Sequence, residues 1–139
     1  MLQAMNTGHE GSLSTLHANS PRDGLARLET MVLMAGMDIP VQAIREYISS
    51  ALNLIVHLSR MRDGSRRVTQ ITEVVGMEAG TITLQDIHKY DYRLPARSEG
   101  ELKGRLVPTG IRPGFASHLE EMGYELDAAL FDDPIGTRR

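Results

Sequence analysis

Cysteine is absent from all 139 residues, which removes any disulfide framework and the thiolate ligands on which common structural zinc sites rely. That absence fits a reducing compartment. No run of eighteen or more apolar residues occurs, so no segment reads as a membrane-spanning helix. The N-terminal residues lack the charged, apolar and cleavage regions of a signal peptide. Two short catalytic motifs are missing as well. H-E-x-x-H fails because Leu13 stands where the second histidine belongs, and G-x-S-x-G does not occur, which leaves Ser12 and Ser14 without the context of a nucleophile. A basic excess is lacking too: 15 Lys and Arg stand against 18 Asp and Glu, and the formal charge of −3 argues against a surface that wraps nucleic acid. The local cluster Arg60, Arg62, Arg66 and Arg67 reads as a solvated hairpin turn. Internal repeats and low-complexity tracts are absent. What remains is a chain of single-domain length whose 41% apolar content suffices for a core.

The most informative stretch is Thr7 to Pro21, T-G-H-E-G-S-L-S-T-L-H-A-N-S-P, where His9 and His17 flank a glycine-broken turn. Gly8 and Gly11 bracket His9 and Glu10, so the backbone can turn tightly or approach a ligand there. From Ser12 to His17 polar and apolar residues roughly alternate, which predicts a short half-buried strand presenting His17 at its tip. Ser20 then suits an N-cap, Pro21 position N1, and Asp23 completes an S-x-x-D variant of the capping box. Either histidine taken alone is as well suited to a buried hydrogen-bonded network as to a site.

Beyond this unit the spacing predicts a helix over about 21–35, with Leu25, Leu28, Val32 and Ala35 on one face and Gly36 as its stop. Met31, Met34 and Met37 widen that stripe, most simply as core gap-fillers. A second helix begins near Asp38 with Pro40 in its first turn and buries Ile44, Tyr47, Ile48, Ala51 and Leu52. Two strands, 54–61 and 67–75, are joined through Arg62, Asp63, Gly64 and Ser65. The run Leu54, Ile55, Val56 suggests burial on both faces, with His57 as a hydrogen-bonded core or edge residue. Glu78, Ala79 and Gly80 make another turn, followed by a strand over 81–87 that Tyr90 and Tyr92 finish. From Asp91 onward, glycines and prolines including Pro95, Gly104, Pro108 and Gly110 read as a linker. Phe115, Leu119 and Met122 then line a two-turn helix ended by Gly123, and Leu126, Leu130 and Phe131 a further short helical segment.

The histidine stretch and its continuation R-D-G-L-A-R-L-E-T-M-V-L-M-A-G, from Arg22 to Gly36, closely resemble the histidine-box region of the type II/type IV secretion ATPases. Within that family the likeness is greatest to the tight-adherence (Flp-type) pilus branch. It continues from Ala43 to Val74 and from Ile82 to Ile87, and thins after Tyr92, where T-G-I-R-P-G-F at Thr109 to Phe115 still fits. The resemblance implies an α/β fold: the C-terminal part of a RecA-like P-loop NTPase domain over 1–92, with a β-hairpin, then a linker and small helical appendage over 93–139.

The family's phosphate loop is missing, because no G-x-x-x-x-G-K-[ST] exists in the chain. Ala128 to Asp132, A-A-L-F-D, imitates a magnesium-binding strand only by chance. In the family the histidine box follows both Walker elements, so the chain is expected to be the C-terminal part of a motor. By resemblance the cofactors are ATP and Mg, both requiring residues outside this chain. His17 is first choice, and His9 second, for a side chain close to the terminal phosphate that relays its presence to a neighbouring subunit. Glu10 and Thr15 are orienting groups, and Gly8 and Gly11 belong to the nucleotide-sensing loop. The implied partners are further copies in a hexameric ring and inner-membrane secretion or pilus platform proteins, without nucleic acid; the implied location is cytoplasmic, peripheral to the inner membrane through partners. Strands deprived of the motor's central neighbours would expose an unpaired edge. The rival reading is a stand-alone, non-enzymatic protein-interaction module or a truncated-gene remnant.

Overall fold

A computed structural model describes residues 11–36, 38–96 and 103–132. In chain order these form helices α1 (Pro21–Met34) and α2 (Val41–Ala51), strands β1 (Leu54–Arg60), β2 (Arg66–Glu78), β3 (Thr81–Asp91) and β4 (Arg105–Pro108), a short helix α3 (Ala116–Glu121), and a 3-10 turn at Ala128–Leu130. The strands make one four-stranded sheet in the order β1-β2-β3-β4. β3 and β4 run antiparallel, with Tyr90 opposite Leu106. β1, β2 and β3 follow one another through connections of five and two residues, too short for anything but antiparallel pairing. The fold is mixed α/β. The chain divides into two compact units, Met1–Ile55 with Val74–Gln85, and Val56–Glu73 with Asp86–Arg139.

In the first unit, the Ser20 hydroxyl accepts from the Asp23 N–H at 3.1 Å, so α1 starts with the cap its sequence predicts. Leu25 and Leu28 face Ile44 and Ile48 of α2, and Val74 and Ile82 complete the core. Ile44 and Ile48 are at most 1% exposed. Arg45 binds the two carboxylate oxygens of Glu29 at 2.8 and 3.2 Å and donates to the Gly80 carbonyl at 3.0 Å, tying both helices to the β2–β3 turn. Those hydrogen bonds to Glu29, and then its charge, hold the guanidinium further toward its protonated form.

The β2–β3 turn consists of Ala79 and Gly80, both in the left-handed region with φ of +48° and +76°. Two consecutive positive φ values match the right-handed twist of the strands, but only Gly80 takes them without a steric cost. Ala79→Gly is therefore expected to raise stability by about 1 kcal/mol, the usual left-handed cost of a Cβ, as read from urea denaturation.

In the second unit, the Gly64 N–H donates to the Met61 carbonyl at 3.0 Å, and Asp63 accepts from the backbone and hydroxyl of Ser65, which close the β1–β2 connection. These hydrogen bonds draw the Asp63 carboxyl below its ordinary pKa. Asp86 gathers Gln70 at 2.6 Å and Thr72 at 2.8 Å across the sheet. The buried carboxylate of Glu73 accepts from the Gly114 N–H at 2.8 Å and the Phe115 N–H at 3.4 Å, fixing the start of α3. At the end of β3, hydrogen bonds from Arg93 hold the Asp91 carboxyl down at about 2.

Several expectations are corrected. No strand forms over 12–17; Leu13 is 99% exposed and Leu16 40%, so the alternation of polar and apolar residues is not matched by burial of one face. Met31 and Met34 are 51% and 82% exposed rather than core, since each is rotated off the Leu25–Leu28–Val32 stripe; Met37 lies outside the described residues. Tyr47, one position from Ile48, is likewise exposed, and α2 starts after Pro40 rather than near Asp38. β1 is an outer strand that alternates, with Leu54, Val56 and Leu58 exposed, so it is not buried on both faces. β2 runs on to Glu78 and β3 to Asp91. The stretch read as linker contains β4, which the Tyr90 hydroxyl anchors by donating to the Gly104 carbonyl at 2.9 Å. In the tail Ala116 is fully buried, whereas Met122 is exposed.

Candidate functional site

Gly11 to Ala18 precedes α1 without helix or strand, and Ser12 to His17 are all exposed. Gly11 adopts φ +81° at the start of this segment. Thr15 and His17 lie two positions apart on it; His9, Glu10 and Gly8 fall outside the described residues. The segment is fixed where it meets α1. A Cβ placed on Gly24 would sit 3.6 Å from the Ala18 Cβ and 4.0 Å from Leu16 Cδ2, so residues 16–18 lie beside the first turn of the helix. One turn further on, Arg27 Nη1 donates to the His17 carbonyl at 3.0 Å. The main chain at His17 is thus engaged from α1 while its imidazole stays open to solvent.

Chemically the arrangement offers a donor. Imidazole can give an N–H to a phosphate oxygen while its other nitrogen engages a second group. The described residues do not complete a nucleotide site, however. The chain has no glycine-rich loop with its lysine, and Asp132, the acid of the A-A-L-F-D imitation, follows a 3-10 turn rather than a strand. No hydrolytic step follows from these residues. A cavity of about 380 Å³ lies elsewhere, lined by residues including Lys89, Tyr92, Arg93 and Thr109. Its cations are already paired, Lys89 with Asp86 and Arg93 with Asp91, so it has no spare positive charge for a phosphate.

Arg27 is the residue that sequence reasoning missed. It sits between Leu25 and Leu28 of the apolar stripe and carries no motif of its own. The available signal is its place on the helix, beside the incoming chain. No helix among the described residues is long and apolar enough to cross a membrane.

Residues 1–94 match the family model described as "Type II/IV secretion system protein". The chain is 38% identical over 71 residues to "Putative conjugal transfer protein Rv3659c" of Mycobacterium tuberculosis (strain ATCC 25618 / H37Rv), covering 51% of this chain and 20% of that protein. It is 37% identical over 76 residues to "Conjugal transfer protein TrbB" of Rhizobium radiobacter, covering 55% of this chain and 22% of that protein. The chain therefore spans about a fifth of the length of these relatives. With two thirds of its residues inside the family match, among them the histidine segment, α1, α2 and the first three strands, the chain belongs to the type II/IV secretion system protein family.

Proposed function

We propose that this chain supplies the nucleotide-sensing segment of a secretion or transfer motor ATPase, and that alone it neither binds ATP tightly nor hydrolyses it. In this reading the chain is part of a RecA-like domain, and His17 reports the terminal phosphate to the next subunit of a hexameric ring. His9, Glu10 and Thr15 assist, with Gly8 and Gly11 shaping the loop. ATP and Mg are held by a phosphate loop and an acid from outside this chain. The motor works on the cytoplasmic side of the inner membrane, against platform proteins of a secretion, conjugation or Flp-type pilus apparatus. The observation that carries the reading is His17, which lies within the family match with an exposed side chain and a main chain held by Arg27.

Titration calorimetry with MgATP on the purified chain tests the second half of the proposal. The expected outcome is no dissociation constant tighter than about 1 mM, a binding free energy of about −4 kcal/mol or weaker. Micromolar affinity, or turnover that survives His17→Ala, would overturn it.

A second reading, a non-enzymatic binding module, draws support from Met31, Leu33 and Met34, which α1 leaves exposed. The mass of the native protein in source cells separates the two. A species well above 15.4 kDa supports the motor segment, and one at 15.4 kDa supports the module.

A further inference from the structure

We infer that Arg27 is a positioning residue for His17: it sets where the imidazole stands by holding the main chain of the same residue, and so governs its reach toward an anionic phosphate group. The inference rests on the sensing role proposed for His17. Two independent pieces of geometry place the segment against α1: the approach of Leu16 and Ala18 to Gly24, and the Arg27 bond to the His17 carbonyl at 3.0 Å. The first locates the chain laterally. The second acts on the residue that carries the imidazole.

An arginine suits this task. Its guanidinium has no acceptor to compete for the bond and keeps further N–H groups for other partners. Because α1 is capped by Ser20 and packed through Leu25 and Leu28, Arg27 is mounted on a rigid element. Gly11 to Ala18 has no ladder or helix of its own to hold it. Removing the Arg27 side chain should therefore loosen the segment without unfolding the helix, since Arg27 is exposed and outside the core.

The test has two arms. In the full 139-residue chain, nitrogen-15 relaxation reports the order of the His17 and Ala18 amides. Arg27→Ala is expected to lower the His17 order parameter from roughly 0.8 to below about 0.6, with α1 helicity intact, and Arg27→Lys to recover part of the loss. An unchanged order parameter in Arg27→Ala overturns the inference. In the native protein isolated from source cells, Arg27→Ala is expected to lower kcat by about 10-fold, with KM for ATP within about 2-fold, the signature of lost orientation rather than lost binding. The double variant with His17→Ala should be no slower than His17→Ala alone, whereas losses that multiply would show Arg27 acting independently and overturn the positioning role. Unchanged turnover in His17→Ala would remove the sensing reading itself, and the relaxation arm would still decide whether Arg27 holds His17.

Discussion

Gly104→Ala is expected to strip β4 from the sheet. Gly104 has φ +91°, and a Cβ there would lie 2.5 Å from Tyr90 Cε1, 2.7 Å from the Asp91 carbonyl oxygen and 2.9 Å from the Tyr92 Cα. Two of those three atoms are backbone, so a rotamer change of Tyr90 cannot relieve the overlap. The left-handed conformation costs about 1–2 kcal/mol for a residue with a Cβ, and forcing the contacts adds about 1–3 kcal/mol. β4 has only four residues, held by pairing with β3, the Tyr90 hydroxyl, buried Val107 and the flanking bonds of the Gly104 and Thr109 N–H groups, and a cost of about 3 kcal/mol or more is expected to exceed what these supply. Amide exchange is the measurement. Leu106 and Val107 should lose protection while α1 and α2, in the other unit, keep theirs. Retained protection at β4 would show that the strand is held by more than this close approach.

The same strand shows where sequence reading stops. α1 was legible because its signals are local: Ser20, Pro21 and Asp23 at one end, Gly36 at the other, and Leu25 and Leu28 at helical spacing between them. The β1–β2 connection was legible for the same reason, through Asp63 and Gly64. Nothing local marks Arg105 to Pro108 as a strand. The glycines and prolines around it break regular structure in any window, and its pairing depends on Tyr90, fourteen residues upstream of Gly104. The Glu73 carboxylate that receives the Gly114 and Phe115 N–H groups lies more than forty residues away in sequence. Such links leave no periodicity to read.

The errors at Ser12 to His17 and at Leu54 to Val56 share another cause. Alternation and apolar runs report that a segment is suited to burial, but the surface that buries it is a property of the folded neighbours. Leu13, Leu16, Leu54, Val56 and Leu58 are apolar residues that stay exposed here. In the candidate segment, the motif drew attention to Thr15 and His17, whereas nothing in it drew attention to Arg27. Its role comes from a side chain reaching ten residues back along the chain to a main-chain oxygen, a contact that residue identity alone does not announce.

His17→Ala carries the largest expected effect on activity. If the imidazole donates to the terminal phosphate as charge shifts in the transition state, its loss resembles removal of one preorganised donor, about 10²-fold in turnover. In the proposed motor ATP is held mainly by a phosphate loop outside this chain, so affinity is expected to change by no more than about 3-fold. The most direct test is steady-state ATP turnover of the native protein from source cells, wild type beside His17→Ala, with nucleotide affinity measured on the same preparations. A fall of about 10²-fold in kcat at nearly constant affinity is expected. Equal turnover in the two proteins would contradict it.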